Sequence, residues 1–149
     1  MSLTVYSDKY FMEEALKQAV LAYDEGEIPV GAVVVCQNKI IARAHNQTER
    51  LTDVTAHAEM LAITAAANYL GGKYLDKCSL YVTLEPCAMC AGALFWSQLG
   101  KLVYAQHDLK RGFTQLNTAV LHTKTIVESG LLGLKSKSLL DQFFDKLRK

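Results

Sequence analysis

Apolar residues recur every three to four positions through Phe11, Met12, Ala15, Leu16, Ala19, Val20 and Tyr23. That period predicts an amphipathic helix, capped by Ser7-Asp8 and ending near Gly26. Val30–Cys36 and Lys39–Ala44 are β-rich runs flanking Gln37-Asn38, the signature of a hairpin with a short turn. A second helix is expected from about Ala56 to Leu70, closed by Gly71-Gly72. Ser79–Leu84 reads as a buried strand. After Pro86 a helix from Cys87 to Leu99 should stop at Gly100, and Lys101–Ala105 returns as a strand. Gln106–Thr123 lacks regular patterning, and it is followed by a short strand at Lys124–Val127 and a helix from Ser136 to Arg148. Helices alternating with strands in the middle of the chain favour parallel pairing with helices on the sheet faces. The expected fold class is α/β: three layers, α/β/α, around a central mixed five-stranded sheet.

Composition narrows the picture without choosing a function. A chain of 149 residues, half of them hydrophobic, can bury one substantial core, and no repeat or linker suggests a second domain, so residues 1–149 are read as one. Sixteen basic against fifteen acidic side chains exclude a protein that coats polyanions wholesale, though not a local basic patch. Met1–Tyr6 shows no basic stretch leading into an apolar run, and no segment approaches bilayer-spanning length, so a soluble cytoplasmic protein with no membrane partner is expected. In that reducing compartment Cys36, Cys78, Cys87 and Cys90 are poor disulfide candidates.

The chemistry concentrates in His57-Ala58-Glu59 and Pro86-Cys87-Ala88-Met89-Cys90. Taken alone, His57 could be a surface residue, Glu59 an ordinary acidic group in a first helical turn, and Cys87-x-x-Cys90 a redox pair. Taken together they make a ligand set. Three residues apart at a helix start, the two cysteines share a face beside unpaired N–H groups that favour thiolate, and His57 adds a borderline nitrogen. A Cys2His set suits Zn²⁺, and three protein ligands with an open position are the pattern of catalytic rather than structural zinc. Glu59 is then placed to move protons for a zinc-activated water. Cys36 and Cys78 read as small buried residues in strands, and His45, His107 and His122 as structural or surface. Phe95, Trp96 and Tyr104 are assigned to the core.

The pair HAE and PCxxC, some thirty residues apart, resembles the cytidine deaminase superfamily of zinc deaminases. The longer strings "TLEPCAMCAGAL", "EIPVGAVVV" and "ARAHN" are similar, more narrowly, to the bacterial tRNA-specific adenosine deaminases of the Tad type. The resemblance covers about residues 10–112 and returns in "QFFDKLRK". It implies a cytidine deaminase-like fold, one Zn²⁺ per subunit on His57, Cys87 and Cys90, and Glu59 as proton shuttle for hydroxide attack at C6 of a flipped-out adenine, giving inosine. It further implies that Asn46 bonds the purine, that the Ala58 N–H holds the oxygen at the reacting carbon, and that Asp108 and Lys110 hold the sugar and backbone. A homodimer acting on a tRNA anticodon loop is the implied assembly.

The C-terminal stretch adds a clue of its own. Lys135, Lys137, Lys146, Arg148 and Lys149 against Asp141 and Asp145 leave this end basic by about +3, and Phe143-Phe144 could offer a stacking face to a splayed base. The plainer reading of the aromatic pair is core packing. Two departures from the family bear on substrate: Ala105-Gln106-His107 replaces the usual small residues before Asp108, and the segment after Gly112 is shorter. Deamination of a free base or nucleoside, such as guanine, cytosine or cytidine, therefore stands as the alternative, with a redox protein or an inactive zinc module outside hydrolysis.

Overall fold

In a computed structural model describing residues 7–148, one five-stranded mixed sheet runs through the protein. Met1–Tyr6, on which the expectation about a leader falls, and Lys149, counted in the basic tail, lie outside the described residues. The elements are α1 (Asp8–Asp24), β1 (Gly31–Cys36), β2 (Lys39–His45), α2 (Ala58–Leu70), β3 (Cys78–Leu84), α3 (Ala88–Trp96), β4 (Lys101–Gln106), β5 (Ile126–Ser129) and α4 (Gly133–Leu147). Strand order is β2-β1-β3-β4-β5. β1 pairs antiparallel with β2 and β3, whereas β3, β4 and β5 are mutually parallel, as the helix–strand alternation requires.

Local chemistry explains the elements the sequence predicts well. The Ser7 hydroxyl accepts from the Tyr10 N–H at 3.1 Å and starts α1. Gln37 and Asn38 both take positive φ, 52° and 62°, the turn that matches the twist of a two-residue hairpin. Gly71, at φ 71°, closes α2 in the left-handed conformation.

Alternation along the strands feeds two apolar layers. Ala32, Val34, Leu80, Val82, Leu102 and Tyr104 face α2 and α3, with Ala58, Ala62, Ala66 and Leu94 above them. Val33, Val35, Tyr81, Val103 and Ala105 face the other way, where Phe11, Met12 and Ala15 of α1 cover them and α4 packs alongside. Both faces are covered, which is the three-layer α/β/α arrangement. It brings the N-termini of α2 and α3 to one edge of the sheet, at the C-terminal ends of β3 and β4.

Several expectations are corrected. α3 ends at Trp96 and not at Leu99, because Gln98 turns to φ 55° and the Ser97 hydroxyl donates to the Leu94 carbonyl at 3.1 Å. The last strand sits two residues later than expected, its pairing begun by Ile126 N–H to the Gly100 carbonyl at 3.0 Å. α4 begins at Gly133. Ser136 lies inside its first turn and donates at 2.5 Å to the Thr83 carbonyl, docking the helix on the sheet. Tyr104 is buried as expected, but Trp96 is 76% exposed and Phe95 39%, because α3 turns Cys90, Ala91 and Leu94 inward and leaves those rings outside. Cys78 is buried and Cys36 half-buried, opposite each other on β1 and β3.

Candidate functional site

His57 and Cys87 are the residues immediately before α2 and α3, and neither side chain caps its helix. Both are thereby free to turn toward a common point, with unpaired N–H groups of two helix starts around it. Cys90 follows one turn into α3. His57 Nδ1 lies 3.7 Å from Cys87 Sγ and 3.5 Å from Cys90 Sγ. All three donor atoms fall within 4.8 Å of one another, and among the described residues no other His, Cys, Asp or Glu trio forms such a cluster.

These separations can be tested against an ion. A tetrahedral zinc with Zn–N of about 2.0 Å and Zn–S of about 2.3 Å sets its donors about 3.5 to 3.8 Å apart, and both nitrogen–sulfur separations fall in that range. The electrostatics agree. The hydrogen bond from Cys90, opposed by burial and reinforced by His57, brings the Cys87 thiol down to about 4, while the same contact with Cys87 and burial push Cys90 upward. The hydrogen bond with Cys87 raises His57, against burial. Two sulfurs this close both ionise only against a cation, so the donor set suits a divalent metal. A dithiol redox pair would not need an imidazole between its sulfurs.

Glu59, in the first turn of α2, is 4% exposed and stands outside the ligand cluster. Burial raises its carboxyl to about 7, overcoming its own backbone N–H and the nearby His57. A carboxyl so placed can exchange a proton near neutrality.

Above this floor is a cavity of about 170 Å³. His57, Ala58, Glu59 and Cys87 form its base, Ile28, Val30 and Leu84 are apolar walls, and Asn46, Thr48, Glu85, Asp108 and Arg111 complete the rim. Asn46 is buried with its Nδ2 donating to the Ile28 carbonyl at 3.3 Å, and its Oδ1 has no partner. The Asp108 carboxylate accepts the N–H groups of Lys110 and Arg111, both at 3.0 Å, and so shapes the loop it stands on.

Two buried carboxylates that sequence reasoning missed hold the rims. Glu27 accepts from Glu49 N–H at 3.0 Å and Arg50 N–H at 2.7 Å, fixing the segment after Asn46. Glu85 does the same for the segment after β4. Burial opposes its ionisation, but bonds from the Thr114 N–H and hydroxyl, the Asp108 N–H and His107 outweigh that and lower its pKa.

The other expected site residues divide. Lys110 is exposed and contributes its backbone, whereas its neighbour Arg111 faces the cavity. Phe143 is a correction: it is 6% exposed and packs edge-on against Tyr23, centroids 6.1 Å apart, so its ring is not open to a base. Phe144 keeps 38% exposure, and neither ring lines the cavity. His45 pairs with Glu25 at 2.9 Å and His122 stacks near Phe95, away from the cluster.

Comparison with known proteins agrees with this geometry. Residues 5–106 match the cytidine and deoxycytidylate deaminase zinc-binding region. The tRNA-specific adenosine deaminase of Aquifex aeolicus (strain VF5) is 45% identical over 145 residues, covering 94% of this chain and 95% of that one. A solved structure from work on A-to-I editing by tRNA:A34 deaminases at the wobble position of transfer RNA superposes with a TM-score of 0.81 at 41% identity, covering 88% of this chain and 99% of that one. The guanine deaminase of Bacillus subtilis, with a TM-score of 0.65 and 39% identity, covers 68% of this chain and 65% of that one. With its Cys2His cluster, adjacent buried glutamate and α/β/α frame, the chain belongs to the zinc-binding cytidine and deoxycytidylate deaminase family.

Proposed function

We propose that the chain deaminates the wobble adenosine of a tRNA to inosine by hydrolysis. The observation that carries the chemistry is Glu59, a buried carboxyl raised to about 7, beside the His57, Cys87 and Cys90 donors at the floor of a cavity lined by apolar walls and a polar rim. The substrate reading is supported by near full-length similarity to tRNA-specific adenosine deaminases.

His57, Cys87 and Cys90 hold the zinc, which supplies Lewis acidity and brings the pKa of water toward neutrality. Glu59 takes a proton from the attacking water at its carboxylate and returns it to the amino nitrogen at C6. Water oxygen bonds to C6, the C6–N bond breaks, and ammonia leaves, so adenosine and water become inosine and ammonia. The Ala58 N–H, at the positive end of α2, holds the oxygen arriving at C6. Asn46 offers its partnerless Oδ1 to the purine, and Ile28, Val30 and Leu84 sandwich the ring and exclude water. Asp108 and Arg111 hold the nucleotide's sugar and phosphate, Lys110 lies along the flanking backbone, and the exposed face of Phe144 and the basic end of α4 meet the loop beyond.

A homodimer is part of the same proposal. Met89, Phe95 and Trp96 form an exposed apolar surface on α3, the helix that also carries Cys90, so a partner seated there would stand next to the site. The proposed compartment is the cytoplasm. No helix among the described residues is long and apolar enough to cross a membrane.

Incubating zinc-loaded protein with an arginine tRNA bearing an ACG anticodon should convert the first anticodon base to inosine, read by sequencing. Glu59→Ala should keep its zinc and lose nearly all turnover. Ammonia release from guanine, cytosine or cytidine with no inosine in tRNA would overturn the substrate reading.

A further inference from the structure

The Glu85 carboxylate is fully buried at the rim of the cavity and has all its bonds directed to one loop. One oxygen accepts from His107 Nδ1 at 3.1 Å and the Asp108 N–H at 3.0 Å. The other accepts from the Thr114 N–H at 2.8 Å and its hydroxyl at 2.7 Å. A single side chain thus grips both ends of an eight-residue loop, 107–114, whose middle presents Asp108 and Arg111 to the cavity. Gly112 lies directly over the carboxylate, where an added Cβ would come within 2.2 Å of it. Backbone bonds run in parallel: Glu85 N–H to the Gln106 carbonyl at 2.8 Å, Phe113 N–H to the Pro86 carbonyl at 2.9 Å, and a bridge between Cys87 and Gly112. The loop is fastened to the segment that carries the cysteine ligands.

We infer that Glu85 is a positioning residue that sets substrate affinity by clipping the 107–114 loop, and with it Asp108 and Arg111, into register with the metal floor. The inference rests on the tRNA reading for the identity of the substrate but not for the action of the clip. Replacing the carboxylate by an amide turns an N–H group toward donors that now meet an acceptor, so at least one end of the loop is released. The interactions lost are contacts made equally to bound substrate and to the reacting state, so KM should move and kcat should not.

The experiment is steady-state deamination of an anticodon stem-loop RNA by zinc-loaded protein. Glu85→Gln should raise KM about tenfold, keep kcat within about twofold and retain wild-type zinc content. Thr114→Val, an exposed and milder change that removes only the hydroxyl bond, should raise KM about threefold. Arg111→Ala should raise KM in the wild-type background but by less than about twofold in the Glu85→Gln background, since the released loop no longer presents Arg111. Unchanged KM in both clip variants, multiplication of the Glu85 and Arg111 effects, or a fall in kcat with loss of zinc would each overturn the inference. If the wild type instead deaminates guanine and leaves RNA untouched, the tRNA reading fails, and hydrogen exchange of the 107–114 amides decides the clip: it should be faster in Glu85→Gln, and unchanged exchange would overturn the inference.

Discussion

Asn46 sets stability against activity. Its Oδ1 is buried with no partner, and its Nδ2 makes one long bond, 3.3 Å, to the Ile28 carbonyl. An orphaned buried acceptor costs about 1–3 kcal/mol, whereas a bond of that length returns about 0.5–1 kcal/mol. Asn46→Leu removes both at similar shape. The Ile28 carbonyl is not stranded by the change, since it also accepts from the Val30 N–H at 2.8 Å. The net effect is a gain of about 1 kcal/mol, a rise of about 2–4 °C in Tm for a domain of this size. Activity moves the other way. A purine donor that meets an apolar side chain in a dry pocket is left unpaired at about 2–3 kcal/mol, so kcat/KM should fall roughly 30- to 150-fold. Thermal denaturation of zinc-loaded protein beside stem-loop deamination reads both signs at once. A variant that melts earlier yet keeps its kcat/KM would refute the reasoning, because the orphan would then serve the fold and not the substrate.

Thr83→Val would ordinarily help a buried strand, adding about 0.8 kcal/mol of apolar burial. Here Thr83 Oγ1 accepts the Gly31 N–H at 3.1 Å, and stranding that donor costs about 1–3 kcal/mol, so Tm should fall by about 2–4 °C; a higher Tm would show that Gly31 finds another partner. Trp96→Asp places a charge on the exposed apolar surface of α3, and sedimentation should show a dimer becoming monomer with zinc retained, while an unchanged sedimentation coefficient would move the interface elsewhere.

Residues whose partners lie near them along the chain, or whose motif has a fixed geometry, are legible in the sequence itself. Ser7 capping α1, Gln37-Asn38 turning the hairpin, and the His57 and Cys87-x-x-Cys90 set all belong to that group. α3 shows where pattern fails. Its sequence, AMCAGALFW, is apolar all round, so periodicity does not choose an inward face, and the rings of Phe95 and Trp96 fall on the outside. β5 is exposed at every position and carries no alternation to fix its register. Glu27 and Glu85 are invisible for another reason. Their partners are backbone N–H groups some twenty to thirty residues away, which no composition or spacing encodes. The family resemblance points to Lys110, but the turn made by Asp108, which no pattern announces, decides that its neighbour Arg111 faces the cavity.

The cavity therefore has two kinds of boundary, and they respond differently to sequence change. Its floor is built from helix starts, where His57, Ala58, Glu59 and Cys87 are held by the first turns of α2 and α3. Its rim is built from loops with no α-helix or strand, apart from a 3-10 turn at Phe113–Gln115, and each is fixed by one buried carboxylate. The departures before Asp108 and after Gly112 meet this second boundary in opposite ways. Of Ala105-Gln106-His107, Gln106 ends β4 with its carbonyl on the Glu85 N–H, and His107 donates its ring to the Glu85 carboxylate, so both are absorbed into the clip. The segment after Gly112, expected to be shorter than in the family, runs on past Thr114, the last residue Glu85 holds, so its length does not reach back to Asp108 or Arg111. Both expected departures therefore leave Asp108 and Arg111 where the clip holds them, lining the cavity above the zinc-ligand cluster.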